Sequence, residues 1–345
     1  MRRFVCAFAL LASLVLMCAA AEPTPKASLL VLSKQDHSLA IVDPADLHVV
    51  ARIPVGDDPH EVVASADGKT AYVSNYGFGA FHTLCVVDLI GQRRVRFIDL
   101  GALRGPHGLQ FALGKVFFTA EAAKAIGSYD PATATVDWIM GTGQDRTHML
   151  YVFPDGKRIA TTNVNSATVT LMEQVTARPM GPPPGMMPPG SGASGQRQGP
   201  PPGSQMGPPP PPPGPNWELT VIPVGRGSEG FDISPDFKEA WVANAQDGTI
   251  SMIDLASKKV TATLDISAHG ANRLKFTPDG KLALISAGPE VVIVDAAAHQ
   301  VVKRLRTGGN GGGIEMQPDG ARAYVATGGA NYVAVIDLKT LEIVG

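Results

Sequence analysis

The sequence predicts an all-β fold, a seven-bladed β-propeller of four-stranded antiparallel blades, and three observations support this prediction. A phrase of two short apolar runs joined by a tight turn occurs six times along the chain. A further apolar run that ends on an acidic residue occurs seven times. Most of these acids follow one another at intervals of 41 to 45 residues. A repeat in the forties with several short strands per unit is typical of propeller blades.

The repeated phrase reads as a β-hairpin. Its first copy is DPHEVVASADGKTAYVSN at residues 58–75. The runs EVVAS and AYVSN are rich in β-branched and aromatic residues, and ADGKT between them is a turn. Four of the six copies carry Asp-Gly in this turn, where glycine supplies the positive φ that a tight turn requires. The other copies lie at 109–120, 150–163, 231–244, 274–287 and 314–327.

The acids that end the third apolar run of each repeat precede turn sequences, so we expect them to cap the backbone there. One interval between successive acids is 81 residues long, almost twice the others. Residues 179–215 number 37, and removing them leaves an interval of 44, the normal repeat. They are therefore predicted to be an insertion between the third and fourth strands of blade four. The acids are Asp43, Asp88, Asp130, Glu173, Asp254, Asp295 and Asp337.

The insertion at 179–215 has a composition that cannot build a core. It holds 16 of the 29 prolines, many glycines and Arg197 as its only charge, so it is predicted to be extended or disordered. The hexaproline run at 208–213 favours a polyproline helix, which can dock on aromatic grooves of a partner. The alternative is a tolerated surface linker. The insertion also has four methionines whose thioethers could bind Cu(I), namely Met180, Met186, Met187 and Met206.

The first blade is predicted to be incomplete. Residues 29–55 supply three strands, and the innermost strand is missing. Either this blade has three strands or residues 22–28 fill the gap.

Several of these phrases resemble a known repeat. AYVSN, TISMIDLASKKVTATL and YVAVIDLKTLEIV resemble the YVTN-type β-propeller repeat of cell-surface and periplasmic proteins, over about residues 28–345. The resemblance implies the fold. It leaves the function open, because similar propellers include binding modules, lactonase-like enzymes and electron-transfer proteins.

The first 21 residues resemble an export signal. They combine Arg2 and Arg3 with an apolar run and small residues at Ala19 and Ala21, so 1–21 is predicted to be a cleaved signal peptide. The propeller domain is then 22–345, located in the periplasm, at the cell surface or outside the cell. The apolar run is shorter than the roughly 20 residues that span a bilayer, so no transmembrane segment is expected after cleavage. A lipoprotein attached at Cys18 is the alternative.

The mature chain keeps one cysteine, Cys85, which excludes an internal disulfide and is expected to be a buried apolar residue. Without Arg2 and Arg3 the chain has 27 basic and 31 acidic residues, a net charge of −4. No Lys or Arg run is present, so nucleic-acid binding is not expected. We expect a monomer.

The candidate site follows from counting back from each hairpin turn. The position eight residues before the turn glycine begins the inner strand of each blade, at one mouth of the axial channel. This position is occupied by His60, His107 (one residue closer to its turn), His148, Glu229, Asn272 and Gly312. The same face is predicted to carry His37, His82, His269, Arg146, Arg226 and Arg273, and the strand-end amides Asn75, Asn163 and Asn244.

Three imidazoles from adjacent blades could bind Zn²⁺ or copper, with Glu229 as a fourth ligand or a base. His60, His107 and His148 are therefore the predicted metal ligands. The alternative is that these histidines are part of the repeat and pack at the channel rim. The three asparagines are expected either to bind a ligand, together with Asn272, or to hold turns.

The leading function is a binding or interaction module that presents this histidine-rich mouth to a small ligand, a metal or a protein partner. The alternative is a lactonase-like hydrolase or lyase. In that case His107, His148 or Glu229 would act as general base, and Arg146 or Arg273 would stabilise an oxyanion. A third option is a domain that serves a separate redox partner. The sequence contains no CxxCH, phosphate loop or GxSxG motif.

Overall fold

A computed structural model describes residues 22–176 and 215–345, which form seven antiparallel sheets arranged as the blades of a propeller. Within these residues there are 27 strands and two single-turn 3-10 segments. The predicted all-β, seven-bladed fold is confirmed. No helix in the described residues is long and apolar enough to cross a membrane. The predicted signal peptide at 1–21 lies outside the described residues.

Each blade is a meander whose first strand lies nearest the channel, except in blade one. Blade one contains β1 (Leu29–Ser33), β2 (Ser38–Val42) and β3 (Val49–Pro54). Blade two contains β4 (Pro59–Ala64), β5 (Thr70–Asn75), β6 (Thr83–Asp88) and β7 (Arg93–Asp99). Blade three contains β8 (Pro106–Ala112), β9 (Lys115–Ala120), β10 (Ala125–Asp130) and β11 (Thr135–Gly141). Blade four contains β12 (Thr147–Val152), β13 (Arg158–Asn163), β14 (Thr168–Thr176) and β15 (Pro215–Pro223).

The last three blades follow the same plan. Blade five contains β16 (Ser228–Ile233), β17 (Glu239–Asn244), β18 (Thr249–Asp254) and β19 (Lys259–Asp265). Blade six contains β20 (Ala271–Phe276), β21 (Leu282–Ala287), β22 (Glu290–Asp295) and β23 (Gln300–Arg306). Blade seven contains β24 (Asn310–Met316), β25 (Arg322–Gly328), β26 (Tyr332–Asp337) and β27 (Glu342–Ile343).

Burial explains why some strands of the sequence are apolar throughout and others alternate between apolar and polar residues. The middle strands of a blade are covered on both faces by neighbouring blades, so they are apolar on both sides, as in β22, where Val291 to Val294 are all fully buried. The outer strands, such as β19, alternate between exposed and half-buried residues. Apolar clusters therefore fill the space between blades, and the ring is held together by sheet-to-sheet packing.

Blade one has three strands, which settles the alternative left open by the sequence. The residues before β1 run along the side of blade two that lies away from the candidate mouth, where the Thr24 hydroxyl donates to the Leu89 carbonyl at 2.5 Å. They do not occupy the inner position. All five residues of β1 are half-buried, whereas the second strands of the other blades are mostly buried. The ring closes between blades seven and one, where the Asn331 side-chain amide donates to Gln35 at 3.1 Å.

Strands β14 and β15 stay paired up to Thr176 and Pro215, at the end of blade four that lies away from the mouth. Residues 177–214 connect these two partners. The predicted insertion at 179–215 thus lies outside the described residues except for Pro215, which belongs to β15.

Cys85 and the turn acids take the places expected from the sequence. Cys85 is fully buried in β6, and burial raises the pKa of its thiol to about 12, so the thiol stays protonated. Asp43 and Asp254 accept hydrogen bonds from the backbone N–H groups of Ala45 and Ser257, at 2.8 and 2.7 Å. They cap turns on the face opposite the mouth.

Candidate binding site at the channel mouth

The structure brings His60, His107 and His148 together at one mouth of the channel. They lie on the inner strands β4, β8 and β12 of three adjacent blades. The ring centroids of His60 and His107 are 4.2 Å apart, and those of His107 and His148 are 3.8 Å apart. The Tyr76 ring packs against both His60 and His107, at 4.9 and 5.1 Å.

A β-bulge near the start of each inner strand aims these side chains at the channel. In blades two, three and four the register shifts between Pro59 and Val62, Pro106 and Leu109, and Thr147 and Leu150. Each histidine lies inside its bulge. Bulges commonly re-aim a side chain next to a functional site, and here the repeat places one in every inner strand.

Burial keeps two of the imidazoles neutral. Burial, with help from the Lys34 ammonium and the Arg273 guanidinium, lowers the pKa of His60 from 6.5 to about 3. Burial and the neighbouring His148 and His60 also hold the pKa of His107 well below 6.5. His107 is 1% exposed, and its Nδ1 atom has no hydrogen-bond partner among the described residues. A buried nitrogen of this kind requires an explanation, because such atoms are nearly always paired.

His60 differs from His107 because its Nδ1 atom contacts the Lys34 ammonium. The ammonium can only donate, so this nitrogen accepts and the proton of the neutral ring is on Nε2. Lys34 is in turn paired with Asp58 at 3.1 Å. His60 therefore presents a donor to the channel, whereas His107 retains a free acceptor.

His148 lies between two carboxylates. Its Nδ1 contacts Glu121, and its Nε2 is 2.8 Å from Glu229 Oε2, but the angles of this second pair are not those of a hydrogen bond. Arg146 reaches both acids, at 3.5 Å from Glu121 and 3.2 Å from Glu229. Burial opposes the ionisation of Glu229, but the contacts with His148 and Arg146 outweigh it and lower the pKa of this carboxyl to about 2.

Glu121 is the central residue that sequence reasoning missed. It begins the 3-10 segment Glu121–Ala123 after β9, is almost fully buried, and accepts a hydrogen bond from the Tyr76 hydroxyl. Burial and this carboxylate raise the pKa of Tyr76. The sequence did contain a pattern that points to Glu121, because Tyr76 and Glu121 both follow directly after the second strand of their blades. Counting forward from the turn, as well as backward, would have found them.

The ligand-type atoms at the mouth form two overlapping groups. Those of His60, Glu61 and His107 lie within 4.8 Å of one another, and so do those of His107, Glu121 and His148. His107 belongs to both groups. Each group therefore contains two imidazoles and one carboxylate. The predicted set of three imidazoles, His60, His107 and His148, is not one of these groups.

The opposite wall of the mouth is open. Arg273 on β20 pairs with Glu61 on β4, which links the inner strands of the non-adjacent blades six and two. Between them lie Gly312 and Gly313 of blade seven and the missing inner strand of blade one. A Cβ atom added at Gly313 would have no atom within 4 Å. A ligand has room to enter on this side.

Deeper in the channel, three further charged side chains occupy the same position of successive inner strands, namely Asp232, Lys275 and Glu315. Asp232 accepts from the backbone N–H groups of Phe276 and Ile233, both at 3.0 Å, and burial raises its pKa. The Asp232 carboxylate raises the pKa of Lys275. Burial raises the pKa of Glu315, and Lys275 offsets only part of this effect.

The remaining predicted residues lie outside the cluster or are used within the blades. The side-chain amides of Asn75, Asn163 and Asn244 donate inside their own blades or to the preceding connection, which fits turn residues. The Asn272 side chain accepts from Arg273 at 2.9 Å. His37, His82, His269 and Arg226 are exposed at the rim and contact Asp57, Asp99, the Gln246 carbonyl and Asp247, respectively.

Fold and mouth together define a seven-bladed β-propeller with a buried, charged and histidine-rich channel entrance. No known protein-family model matches the chain, and no curated protein matches it in sequence. The resemblance to the YVTN repeat therefore rests on the residues alone.

Solved structures support the fold. The chain is similar to hydrazine synthase of Kuenenia stuttgartiensis, with a TM-score of 0.68 and 18% identity, over 90% of this chain and 92% of that one. It is similar to the dihydro-heme d1 dehydrogenase NirN in complex with DHE, with a TM-score of 0.62 and 16% identity, over 95% of this chain and 64% of that one. A functionally unknown protein from Desulfotomaculum acetoxidans aligns with a TM-score of 0.68 and 11% identity, over 92% and 93%. At these identities the similarity shows the fold alone.

Proposed function

We propose that the protein is a metal-binding propeller module whose channel mouth holds one divalent transition-metal ion, zinc or copper, through His107, His148 and Glu121. The observation that carries this proposal is the unpaired, buried Nδ1 atom of His107. It belongs to a neutral ring, which is the form of histidine that binds metals. His107 also offers a ring nitrogen that lies within 4.8 Å of ligand atoms of an acid, Glu121, and a second histidine, His148.

The donor set suits these ions. Imidazole nitrogen and carboxylate oxygen are common ligands of Zn²⁺, and imidazole also suits copper. Glu229 stands next to His148 and can add a further oxygen. Tyr76 and Arg146 contact Glu121 from outside the group and orient it, which is how partners of metal ligands usually act.

The open wall of the mouth supports the binding role. Gly313 and the three-stranded first blade leave space opposite the histidines, so a bound ion can accept a small ligand from that side. We further propose export, on the composition of residues 1–21.

The hydrolase or lyase alternative has one supporting feature, the contact of Arg146 with Glu229 beside His148. Its difficulty is that Glu229 Oε2 lies only 2.8 Å from His148 Nε2, in the space that a substrate proton would have to enter. A general base at this nitrogen would require the carboxylate to move away. If the native protein hydrolyses a lactone and both His107→Ala and His148→Ala abolish this activity, the protein is a hydrolase and the metal-binding proposal is wrong.

The proposed function is tested by Zn²⁺ binding to the chelator-treated full-length protein, with calorimetry for affinity and elemental analysis for stoichiometry. Zn²⁺ is the better probe because the four methionines of the insertion could bind Cu(I) independently. We expect one ion per chain and at least a tenfold loss of affinity in His107→Ala. His82→Ala is the matched control, since His82 is exposed on the same face and outside both groups. Absence of Zn²⁺ binding, or equal affinity of the two variants, would refute the proposal.

A further inference from the structure

A second feature of the molecule is an aromatic groove between the outer strands of blades three and four. It is about 470 Å³ in volume and is lined by Trp138 of β11 and Trp217 of β15. Their ring centroids are 5.5 Å apart at an angle of 48°, and Phe117 lies 6.4 Å from Trp138. Both tryptophans are only half-buried. The rest of the lining includes polar side chains such as Lys115, Asp137 and Gln174, so the groove offers two aromatic faces with hydrogen-bonding groups beside them.

The groove is rigid. Trp138 pairs with Ser128 of β10 next to a β-bulge, and Trp217 pairs with Gln174 of β14, so both rings stand on strands that are held in a sheet. Beneath them lies a buried apolar cluster that includes Ile126 and Met172. A ligand in this groove would meet a preformed surface.

The insertion starts and ends at the edge of this groove. Gln174 and Asn216, which line it, stand three residues before residue 177 and two residues after residue 214, the ends of segment 177–214. The run of six prolines at 208–213 is separated from Pro215 by a single glycine. Because both ends of the segment are fixed beside the groove, its effective concentration there is high, about millimolar for a short flexible connection.

We infer that the Trp138–Trp217 groove is the docking site of the hexaproline run 208–213 of the same chain. Prolines have no backbone N–H, so their carbonyls are free to accept from indole N–H groups, while the rings stack on aromatic faces. A polyproline helix of six residues is about 19 Å long and loses little conformational entropy on binding. The insertion carries a single charge, Arg197, so the two indole rings of this groove suit it better than the charged channel mouth.

The test is ¹⁹F NMR of the full chain labelled with 5-fluorotryptophan, which gives one signal for each of the three tryptophans. Trp138→Phe and Trp217→Phe assign the signals. Trp241 is fully buried in another blade and serves as the internal reference for folding. We expect replacement of residues 208–213 by Gly-Ser repeats to shift the Trp138 and Trp217 signals and leave the Trp241 signal in place. Replacing residues 191–196 in the same way is the matched control and should shift none of them.

A free decaproline peptide separates docking within the chain from docking of another protein. It should restore the native shifts in the 208–213 variant and leave the native chain unchanged, whose groove is already occupied. If the native chain and the variant respond to the peptide at the same concentrations, the groove serves a proline-rich partner and the inference is wrong. Unchanged Trp138 and Trp217 signals in the 208–213 variant would also overturn it.

Discussion

The imidazole rings of His107 and His148 lie with their centroids 3.8 Å apart and their planes inclined by 38°, although they belong to different blades. Two imidazoles this close together in a buried site cannot both carry a charge without strong repulsion. Burial keeps His107 neutral, while His148 is held between Glu121 and Glu229. Among the described residues, the mouth therefore combines an imidazole nitrogen that has no hydrogen-bond partner with carboxylates in one small space.

The first prediction concerns Glu121, which fixes His148, Tyr76 and Arg146 together. Glu121→Gln keeps the shape of the side chain but removes its charge and one acceptor oxygen. We expect the affinity for Zn²⁺ to fall about 10- to 100-fold, the usual range when a ligand or its close partner is lost. Titration calorimetry measures this, with Glu218→Gln on the exposed side of β15 as the control. Equal Zn²⁺ affinity in the two variants would show that Glu121 has no part in binding.

The second prediction concerns the Arg273–Glu61 ion pair that spans the gap between blades six and two. Arg273→Met leaves the Glu61 carboxylate without its partner in a mostly buried site, so we expect a loss of about 3–5 kcal/mol in the free energy of unfolding. Adding Glu61→Gln should recover part of this loss. Urea denaturation of the two single variants and the double variant gives the coupling energy. If the effects of the single variants simply add, the pair does not help to close the ring.

The third prediction uses two glycines at the same position of their inner strands. A Cβ atom at Gly108 would lie 2.7 Å from the His148 carbonyl oxygen and 2.9 Å from Met149 Cα. Both are backbone atoms, which cannot move aside without displacing the strand. Gly108→Ala should therefore separate blades three and four and cost about 1–3 kcal/mol, as overpacking does. A Cβ atom at Gly313 would meet no described residue within 4 Å apart from its chain neighbours. Gly313→Ala should leave the thermal midpoint within a degree or two of the native value, and similar losses in both variants would contradict this account of the channel.

The fourth prediction concerns Glu315, which faces Lys275 and Asp232 in the channel. The surrounding channel wall partly desolvates its carboxyl and raises its pKa above 4.5 in the folded protein, although the side chain keeps solvent contact, so folding favours the protonated form. The stabilisation that this group contributes is complete below pH 4.5 and is lost as the pH rises through the folded-state value. Glu315→Gln imitates the protonated acid at every pH. The variant should match the native midpoint near pH 4 and exceed it at pH 8 in thermal denaturation, and a lower midpoint at pH 8 would contradict the raised pKa.

The repeat explains why the fold could be predicted from the sequence. Each Asp-Gly turn marks a hairpin, and the regular spacing of acids such as Asp254 and Asp295 marks the blades, so local signals determined the global arrangement. The same counting placed His60, His107 and His148 at one mouth. The counting succeeded because these three inner strands begin at nearly the same distance from their turns and each has a β-bulge near its start.

The rest of the site depends on contacts between blades, which a single repeat does not encode. Glu121 reaches His148 from the neighbouring blade, and Arg273 reaches Glu61 from a blade that is not adjacent. The Trp138–Trp217 groove likewise forms only when the outer strands of two blades pack side by side. Periodicity locates residues within a blade, but the angle between blades decides which side chains meet.

The most direct test of the metal site is anomalous diffraction at the zinc edge from crystals of the full-length protein grown with Zn²⁺. A further cluster of ligand-type side chains serves as the comparison site. It consists of Asp43, Asp46 and His48 and lies at the surface of the opposite face. We predict one strong peak at the channel mouth, with the His107 nitrogen at about the 2.0–2.1 Å expected of a Zn–N bond. A peak only at the Asp43 group, or no peak within bonding distance of His107, would contradict the central claim.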